Sequence, residues 1–290
     1  MDIKYDVAAR TMFISQENTI RTLLERAGMT DCNPVQSNMV FTKQDCPPTA
    51  DPESTTDFRR LIALANFISC WTRPDITFTV NKLCKYMSNP GAVHWQALKH
   101  LLRYLKGTVQ LGLYYDFGQP SEVAGLHGYT DASYADCPDT SKSTCGYVLL
   151  RGCHTVLVQQ AAHIRDYVHQ PLGVRGISIG AKEAQWMVYL FDEVEAKTKH
   201  TPVPLFVDNS GVISMVFNPV DHQSNKHIRI SCHYARELTT EQVIAPQRVA
   251  TDKNLADMFT KPLGGVQFRA MVTNYVNGPK GSSVRGGVLA

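Results

Sequence analysis

The hydrophobic pattern of this 290-residue chain changes its period near residue 110, and that change constrains the fold more than any other feature. Upstream, apolar residues recur every three to four positions, as in residues 95–105, which predicts helices. Downstream, short apolar runs such as residues 111–115 and 123–131 predict strands. We therefore expect a mainly helical first part followed by a layer that mixes strands and helices.

The second part has a predicted element order that is typical of an α/β (α+β) fold. After its first strands, a helix at residues 179–197 precedes an apolar strand at residues 203–208. A strand reached through a crossover helix generally lies parallel to an earlier strand of the same sheet. The sequence thus predicts a mixed sheet flanked by helices, with domain limits at residues 1–120 and 121–275 and a flexible tail at 276–290.

The charge of the chain is unevenly distributed. Although the net charge is only +3, residues 59–106 contain eight basic residues and a single acid, Asp75. The rest of the chain therefore carries net negative charge. A basic segment beside a carboxylate-bearing one suits a protein that holds a polyanion. The alternative is that the basic residues form a solvated helical surface.

Composition excludes several other classes of protein. The apolar stretches are too short to span a bilayer, and the first residues lack the apolar core of a secretory signal. None of the eight cysteines forms a Cys-x-x-Cys pair, which argues against a zinc ribbon. We expect reduced thiols, no membrane partner and an intracellular location.

Four carboxylates have settings that predict a metal site. Asp131 and Asp208 end predicted strands, Glu183 lies in the first turns of the helix between them, and Asp257 lies on a late helix with Asn254 as its N-cap. Side chains at the carboxyl ends of parallel strands meet at one sheet edge. Carboxylates held together repel each other, and divalent cations such as Mg²⁺ offset that repulsion. Taken singly, each acid is weak evidence, since Asp208 alone would suit a helix cap.

Residues 128–263 resemble the ribonuclease H domain of copia-type retrotransposon polyproteins. The matching segments, in family order, are Tyr-Thr-Asp-Ala-Ser-Tyr-Ala-Asp (129–136), Lys-Ser-Thr-Cys-Gly-Tyr-Val (142–148), Glu-Ala-Gln-Trp (183–186), Val-Asp-Asn (207–209), Lys-His-Ile-Arg-Ile (226–230) and Leu-Ala-Asp-Met-Phe-Thr-Lys-Pro-Leu (255–263). Upstream, Thr-Arg-Pro-Asp-Ile (72–76), Tyr-Met-Ser-Asn-Pro-Gly (86–91) and Arg-Tyr-Leu-Lys-Gly-Thr (103–108) resemble the thumb and connection of the reverse transcriptase.

The resemblance implies a ribonuclease H-like sheet and a metal-dependent endonuclease that cleaves RNA in RNA–DNA hybrids. In the family, the acids matching Asp131, Glu183, Asp208 and Asp257 hold two Mg²⁺ ions, which Mn²⁺ can replace. Residues 1–120 would be the C-terminal part of the reverse transcriptase. The chain contains no Asp-Asp pair, so the resemblance implies no polymerase site.

The implied partners are an RNA–DNA hybrid or another nucleic acid and the remainder of the Pol polyprotein. The implied location is the cytoplasm, with virus-like particles or the nucleus as alternatives. The residues predicted to contact nucleic acid are Arg73, Lys82, Lys85, Lys99, Arg103, Lys106, Asn209, Lys226 and His227.

Residues 157–178 depart from the family pattern just before the Glu183 helix and are expected to affect the position of that residue. They motivate a second hypothesis, a catalytically degenerate remnant that binds nucleic acid without cleaving it. A third hypothesis is an unstable fragment, in which residues 1–60 need the missing palm for packing.

Overall fold

The computed structural model describes residues 1–38, 51–117, 125–133, 143–151, 154–164, 172–195, 201–217 and 226–278. Side chains are not described for Pro52, residues 154–164, Leu172 and residues 226–231. The chain divides into two compact units, the first comprising Met1–Gln119 with Pro262–Ala290 and the second Pro120–Lys261. The domain limits given by the sequence stay a prediction.

The helices and strands follow one another in an order close to the predicted one. In chain order they are β1 (Asp2–Asp6), β2 (Thr11–Ser15), α1 (Glu17–Arg26), α2 (Pro52–Trp71), a 3₁₀ turn (Pro74–Ile76), α3 (Thr77–Cys84), α4 (Ala92–Gly107), β3 (Leu113–Asp116), β4 (Leu126–Ser133), β5 (Ser143–Arg151), β6 (His154–Ile164), α5 (Leu172–Glu195), β7 (Val203–Val207), α6 (Ser210–Phe217), α7 (Lys226–Thr240), β8 (Ile244–Arg248), a second 3₁₀ turn (Thr251–Lys253), α8 (Asp257–Thr260) and α9 (Gly265–Val272).

The first unit combines helices with a small antiparallel sheet. Within its described residues, β2 lies between β1 and β3. The helices bury the apolar faces that their periodicity predicts, for example Ile62 and Ile68 of α2 and Leu98 and Leu101 of α4. Helix α4 begins where the ring Nδ1 of His94 accepts a hydrogen bond from the Gly91 amide at 2.8 Å. The predicted helical character of this part is confirmed.

The second unit contains the mixed sheet that the sequence predicts. Its described strands follow the order β6-β5-β4-β7-β8. Strands β4, β5 and β6 pair antiparallel, whereas β7 pairs parallel with both β4 and β8. Helix α5 is the crossover that leads from β6 to β7, and it packs on β4 and β5. The predicted α/β class, with a mixed sheet flanked by helices, is confirmed.

Helix α5 differs from its prediction because it begins at Leu172, about two turns before residue 179. Three glycines on one side of the helix explain the difference. A Cβ atom added to Gly173 would lie 2.2 Å from Val212 Cγ2, and one added to Gly180 would lie 2.4 Å from Thr130 Cγ2. Gly176 similarly passes the backbone of Asp131. Glycine is a poor helix former, but here it lets the helix approach the sheet closely.

In the part of the chain that the structure describes, no helix has the length and apolar character needed to cross a membrane.

Candidate metal centre

Among the described residues, three aspartates converge at one edge of the mixed sheet. Asp131 lies in β4, Asp208 directly follows β7, and Asp257 is the first residue of α8. Each offers one carboxylate oxygen, and these three oxygens all lie within 4.8 Å of one another. Strands β4 and β7 are parallel neighbours, so their carboxyl ends meet at this edge. Residues separated along the chain thus form one group of oxygen donors.

The aspartate cluster is largely shielded from solvent. Asp131 is 6% exposed and Asp257 is 3% exposed, whereas Asp208 is partly exposed. Burial raises the pKa of the Asp257 carboxyl to about 6, although a hydrogen bond from Lys261 opposes this effect. Burial also raises the pKa of Asp208, and the charge of Asp131 adds to that shift. Burial is thus the main cause of both shifts, and the charge of Asp131 adds to each of them.

Lys261 supplies a positive charge inside the cluster. Its Nζ atom lies 2.9 Å from Asp257 Oδ1 and 3.3 Å from Asp131 Oδ2. Burial by itself lowers the pKa of Lys261, but the hydrogen bond to Asp257 and the nearby carboxylates outweigh it, so the pKa is raised overall. The Thr260 hydroxyl also donates to Asp131 Oδ2. An ammonium group therefore binds the same carboxylates that a metal ion would use.

Two further residues hold α8 against the sheet. The fully buried Asn254 side chain donates from Nδ2 to the Thr130 carbonyl at 3.1 Å, and its Oδ1 accepts from the Ala256 amide. On β5, Gly146 leaves no room for a side chain, since an added Cβ would lie 2.7 Å from Phe259 Cβ. These contacts fix the position of Asp257.

Sequence reasoning missed the roles of Thr260 and Lys261, and it read Asn254 only as a helix cap. One signal was present, because Lys261 stands four residues after Asp257, a spacing that brings opposite charges together on a helix.

The structure does not bring Glu183 into the aspartate cluster, within the residues it describes. Its carboxylate instead interacts with the Tyr147 hydroxyl on β5, a contact that adds to the effect of burial in raising the pKa of Tyr147. The expected position of Glu183 in the first turns of the helix is wrong, because α5 begins at Leu172 and passes Asp131 at Gly176. Glu183 lies about two turns farther on, roughly 10 Å along the helix axis. Its role as a metal ligand stays a prediction.

Two of the residues predicted to contact nucleic acid are buried, which corrects their assignment. Arg73 is fully buried, and its guanidinium donates to both carboxylate oxygens of Asp75 at 2.9 and 2.7 Å. Lys82 is 8% exposed, and its ammonium lies 5.3 Å from the centre of the Phe78 ring. The sequence shows that this segment is basic, but the local charge pattern does not show which side chains the helices bury.

The other predicted contacts differ in exposure. Lys99 is exposed, and Arg103 and Lys106 are partly exposed. Lys85 is partly exposed as a residue, but its Nζ atom is buried, which corrects its assignment as a contact with nucleic acid. Arg103 Nε donates to the Asn33 carbonyl at 2.7 Å.

Three of the predicted contacts, Asn209, Lys226 and His227, are in the second unit at helix starts. Exposed Asn209 caps the start of α6, accepting through Oδ1 from the Gly211 amide at 2.9 Å. The side chains of Lys226 and His227 lie outside the described residues, although their backbone forms the start of α7.

The donors in the aspartate cluster fit a hard divalent cation. Carboxylate oxygens are the ligands that Mg²⁺ prefers, and Mg²⁺ sites commonly use a small number of carboxylates. The cluster already attracts a cation, the ammonium of Lys261. The donors of Asp131, Asp208 and Asp257 are thus suited to a hard divalent cation.

Comparison with known proteins relates the chain to retrotransposon polyproteins. It is 32% identical over 265 residues to the retrovirus-related Pol polyprotein from transposon RE2 of Arabidopsis thaliana, covering 89% of this chain and 18% of that protein. It is 28% identical over 280 residues to the Pol polyprotein from transposon TNT 1-94 of Nicotiana tabacum, covering 90% of this chain and 20% of that protein. The chain therefore spans about a fifth of the length of these relatives.

No protein-family model matches the chain. Among solved structures, RNase H1 from the halophilic archaeon Halobacterium salinarum NRC-1 matches with a TM-score of 0.36 and 18% identity, covering 47% of this chain and 95% of that one. The sequence relatives align over nearly the whole chain, which confirms the resemblance drawn from its motifs. The chain is thus similar, over most of its length, to retrovirus-related Pol polyproteins of plant retrotransposons.

Proposed function

We propose that the second unit is a metal-dependent ribonuclease H that cleaves the RNA strand of RNA–DNA hybrids, acting within a Pol polyprotein. One observation carries the proposal. Three aspartates from different elements place carboxylate oxygens within 4.8 Å of one another in a largely buried cluster. Buried carboxylates grouped in this way cost free energy unless the group holds a cation. The cluster consists of the three acids whose neighbouring residues match the family motifs well.

Each residue of the centre has a specific role in this proposal. Asp131, Asp208 and Asp257 hold the metal ions, and Glu183 is the predicted fourth ligand. Asn254 fixes the start of α8, so it sets the position of Asp257. When bound, divalent cations supply the Lewis acidity that activates water and stabilises the leaving 3′ oxygen of a phosphodiester.

The proposed substrate is an RNA–DNA hybrid recognised by its shape and its 2′-hydroxyl groups rather than by sequence. In the first unit, Lys99, Arg103 and Lys106 remain candidates for contacts with the nucleic acid backbone, because all three are at least partly exposed. Binding through such residues weakens as salt rises. The remainder of the Pol polyprotein is the proposed protein partner, with action in the cytoplasm, in virus-like particles or in the nucleus.

Cleavage of a hybrid labelled on its RNA strand tests the proposal. We expect the full chain to cleave the RNA strand with Mg²⁺ and to stop when EDTA removes the metal. Asp131→Asn and Asp208→Asn should each reduce the rate at least a hundredfold, because each removes a charged ligand. Asp252→Asn is the matched control, since Asp252 is exposed in the 3₁₀ turn before α8. Wild-type activity in Asp131→Asn would reject the proposed site.

The position of Glu183 favours one alternative function, a degenerate remnant that binds nucleic acid without cleaving it. The described residues place three acids in the cluster, and Glu183 lies beside Tyr147 instead. This alternative predicts salt-dependent binding of the hybrid with no cleavage in Mg²⁺ or Mn²⁺. The labelled hybrid distinguishes the two functions directly, since binding and cleavage are measured on the same molecule.

A further inference from the structure

We propose that Lys261 is an internal counter-cation of the metal centre, whose displacement from the aspartates sets the metal affinity. This inference rests on the proposed function and adds a role for a residue outside the predicted ligand set. Lys261 would stabilise the aspartate cluster without metal and would leave it when a metal ion binds.

The lysine and a metal ion compete for the same carboxylate oxygens. The Nζ atom of Lys261 contacts Asp257 Oδ1 at 2.9 Å and Asp131 Oδ2 at 3.3 Å. Asp131 Oδ2 also accepts from the Thr260 hydroxyl, so this oxygen already has two donors. A cation that coordinates these oxygens must therefore displace at least the ammonium group.

The lysine side chain has a route from the cluster to solvent. Its side chain is 35% exposed, whereas the side chains of Asp131 and Asp257 are 5% and 4% exposed. Lysine has a long flexible stem and a strongly hydrated head group, so its ammonium can move to solvent while the aspartates remain fixed. The acids are held by the sheet and by α8, but the lysine is held mainly by its charge.

The charges of Lys261 and of the metal ion determine how the two cations compete. Without Lys261, the three carboxylates would have no internal counter-charge among the residues that form the cluster. A divalent cation replaces the ammonium with twice its charge, so binding is favourable but weaker than it would be at a site without lysine. Removal of the lysine charge should therefore strengthen metal binding while it destabilises the metal-free protein.

Calorimetric titration of the full chain with Mg²⁺ at fixed pH and ionic strength tests this inference without measuring activity. We expect Lys261→Met to lower the Kd for Mg²⁺ at least tenfold, and Lys261→Arg to keep it within about threefold of the wild-type value. Lys253→Met, which removes an exposed lysine from the preceding 3₁₀ turn, should leave the Kd unchanged. Asp131→Asn should abolish binding.

Thermal unfolding supplies a second readout. Lys261→Met should melt at a lower temperature than the wild type in EDTA, and Mg²⁺ should raise its melting temperature by more than it raises that of the wild type. Lys261→Gln, which keeps a hydrogen-bond donor for Asp257, replaces Lys261→Met if that variant fails to fold.

The outcomes separate this inference from the proposed function. If Lys261→Met bound Mg²⁺ with a Kd equal to or above that of the wild type, the role of Lys261 would be overturned. If Asp131→Asn lost Mg²⁺ binding in the same experiments, the proposed metal centre itself would still be supported. Mg²⁺ binding by neither the wild type nor Lys261→Met would reject both. Binding by Lys261→Met alone would support the inference in its strongest form.

Discussion

Gly146 shows how one residue without a side chain helps to position the aspartate cluster. A methyl group there would lie 2.7 Å from Phe259 Cβ and 3.0 Å from Thr260 Cγ2, both on the helix that carries Asp257. Gly146→Ala must therefore push α8 away from β5. We expect a loss of about 1–3 kcal/mol in the free energy of unfolding, typical of overpacking, together with weaker Mg²⁺ binding. Urea denaturation and calorimetric titration measure the two effects.

Gly265→Ala is the control for that substitution. A methyl group at Gly265 would approach only Arg269 Nη1, at 3.7 Å, and alanine favours the first turn of α9. This variant should be at least as stable as the wild type. If Gly146→Ala matched the wild type in both measurements, α8 would have enough freedom to move without disturbing Asp257.

At the residue scale, the sequence indicated that Asp131, Asp208 and Asp257 lie close together, but it did not indicate which neighbouring residues contact them. Asp131 and Asp208 could be placed because strand ends in a parallel pair meet at one edge, a rule that needs no side-chain detail. Glu183 was misplaced because the position of a helical residue depends on where the helix starts. Thr260 and Asn254 have ordinary local settings, and only the folded chain shows that both reach β4.

At the scale of elements, glycine in α5 limited what the sequence could reveal. Gly173, Gly176 and Gly180 reduce helix propensity, so the pattern alone favours irregular structure up to residue 178. The tertiary contact with β4 and α6 overrides that local preference. Elements with strong periodicity, such as α4, were predicted correctly because burial and local preference agree there.

The turn after α2 shows that the sequence pattern also does not reveal which charged residues are buried. Arg73 and Asp75 form a fully buried ion pair. The Tyr104 hydroxyl donates to Asp75 Oδ2 at 2.7 Å, and Arg73 donates to the carbonyl and hydroxyl oxygens of Thr108. Arg73→Met would leave the Asp75 charge buried without its cation. We expect a loss of about 3–5 kcal/mol in the free energy of unfolding of the first unit, measured by urea denaturation.

Lys99→Met is the matched control, because Lys99 is exposed on α4. Its stability should lie within about 0.5 kcal/mol of the wild type. Hybrid binding should instead be affected more by Lys99→Met than by Arg73→Met. Lys99→Met should reduce the slope of log affinity against log salt by about 1. An Arg73→Met variant as stable as the wild type would show that the buried pair contributes no net stability.

A buried histidine on β4, His127, should make the free energy of unfolding depend on pH. His127 is 5% exposed, and burial lowers its pKa, although the Gly125 carbonyl opposes this shift. The folded protein therefore binds a proton at His127 less readily than the unfolded chain. Below about pH 6.5, the ordinary pKa of histidine, the unfolded state gains protons first, so folding stability falls as pH falls.

His127→Gln should reduce this pH dependence. Urea denaturation at pH 8 and pH 5 should show a smaller loss of stability on acidification for the variant than for the wild type. The measurement at pH 8 is the control, because histidine is neutral there in both states and any difference reflects packing alone. Equal losses in the two proteins would show that His127 does not contribute to acid sensitivity.

At the scale of the whole molecule, the two units differ in how the chain forms them. The first unit uses both ends of the chain, since the Gly112 amide donates to the Asn277 carbonyl at 3.0 Å and the Asn277 amide donates to the Gly112 carbonyl at 2.9 Å. Tyr104 and Phe268 also pack edge to face with ring centres 5.6 Å apart. The second unit is continuous and contains all three clustered aspartates.

Hydrogen exchange followed by mass spectrometry should therefore assign each perturbation to one unit. Mg²⁺ should increase protection in peptides from β4, β7 and α8, because a ligand that binds only the folded state stabilises it by about 2.7 kcal/mol at 100 times its Kd. Arg73→Met should instead reduce protection in α2 and α4.

Peptides from residues 265–277 should respond with the first unit, even though Lys261, four residues earlier than Gly265, forms an ion pair with the aspartate cluster. If those peptides followed Mg²⁺ rather than Arg73→Met, the contacts of Asn277 and Phe268 would not govern their stability. Asp131→Asn provides the control, since Mg²⁺ should leave its exchange unchanged throughout the chain.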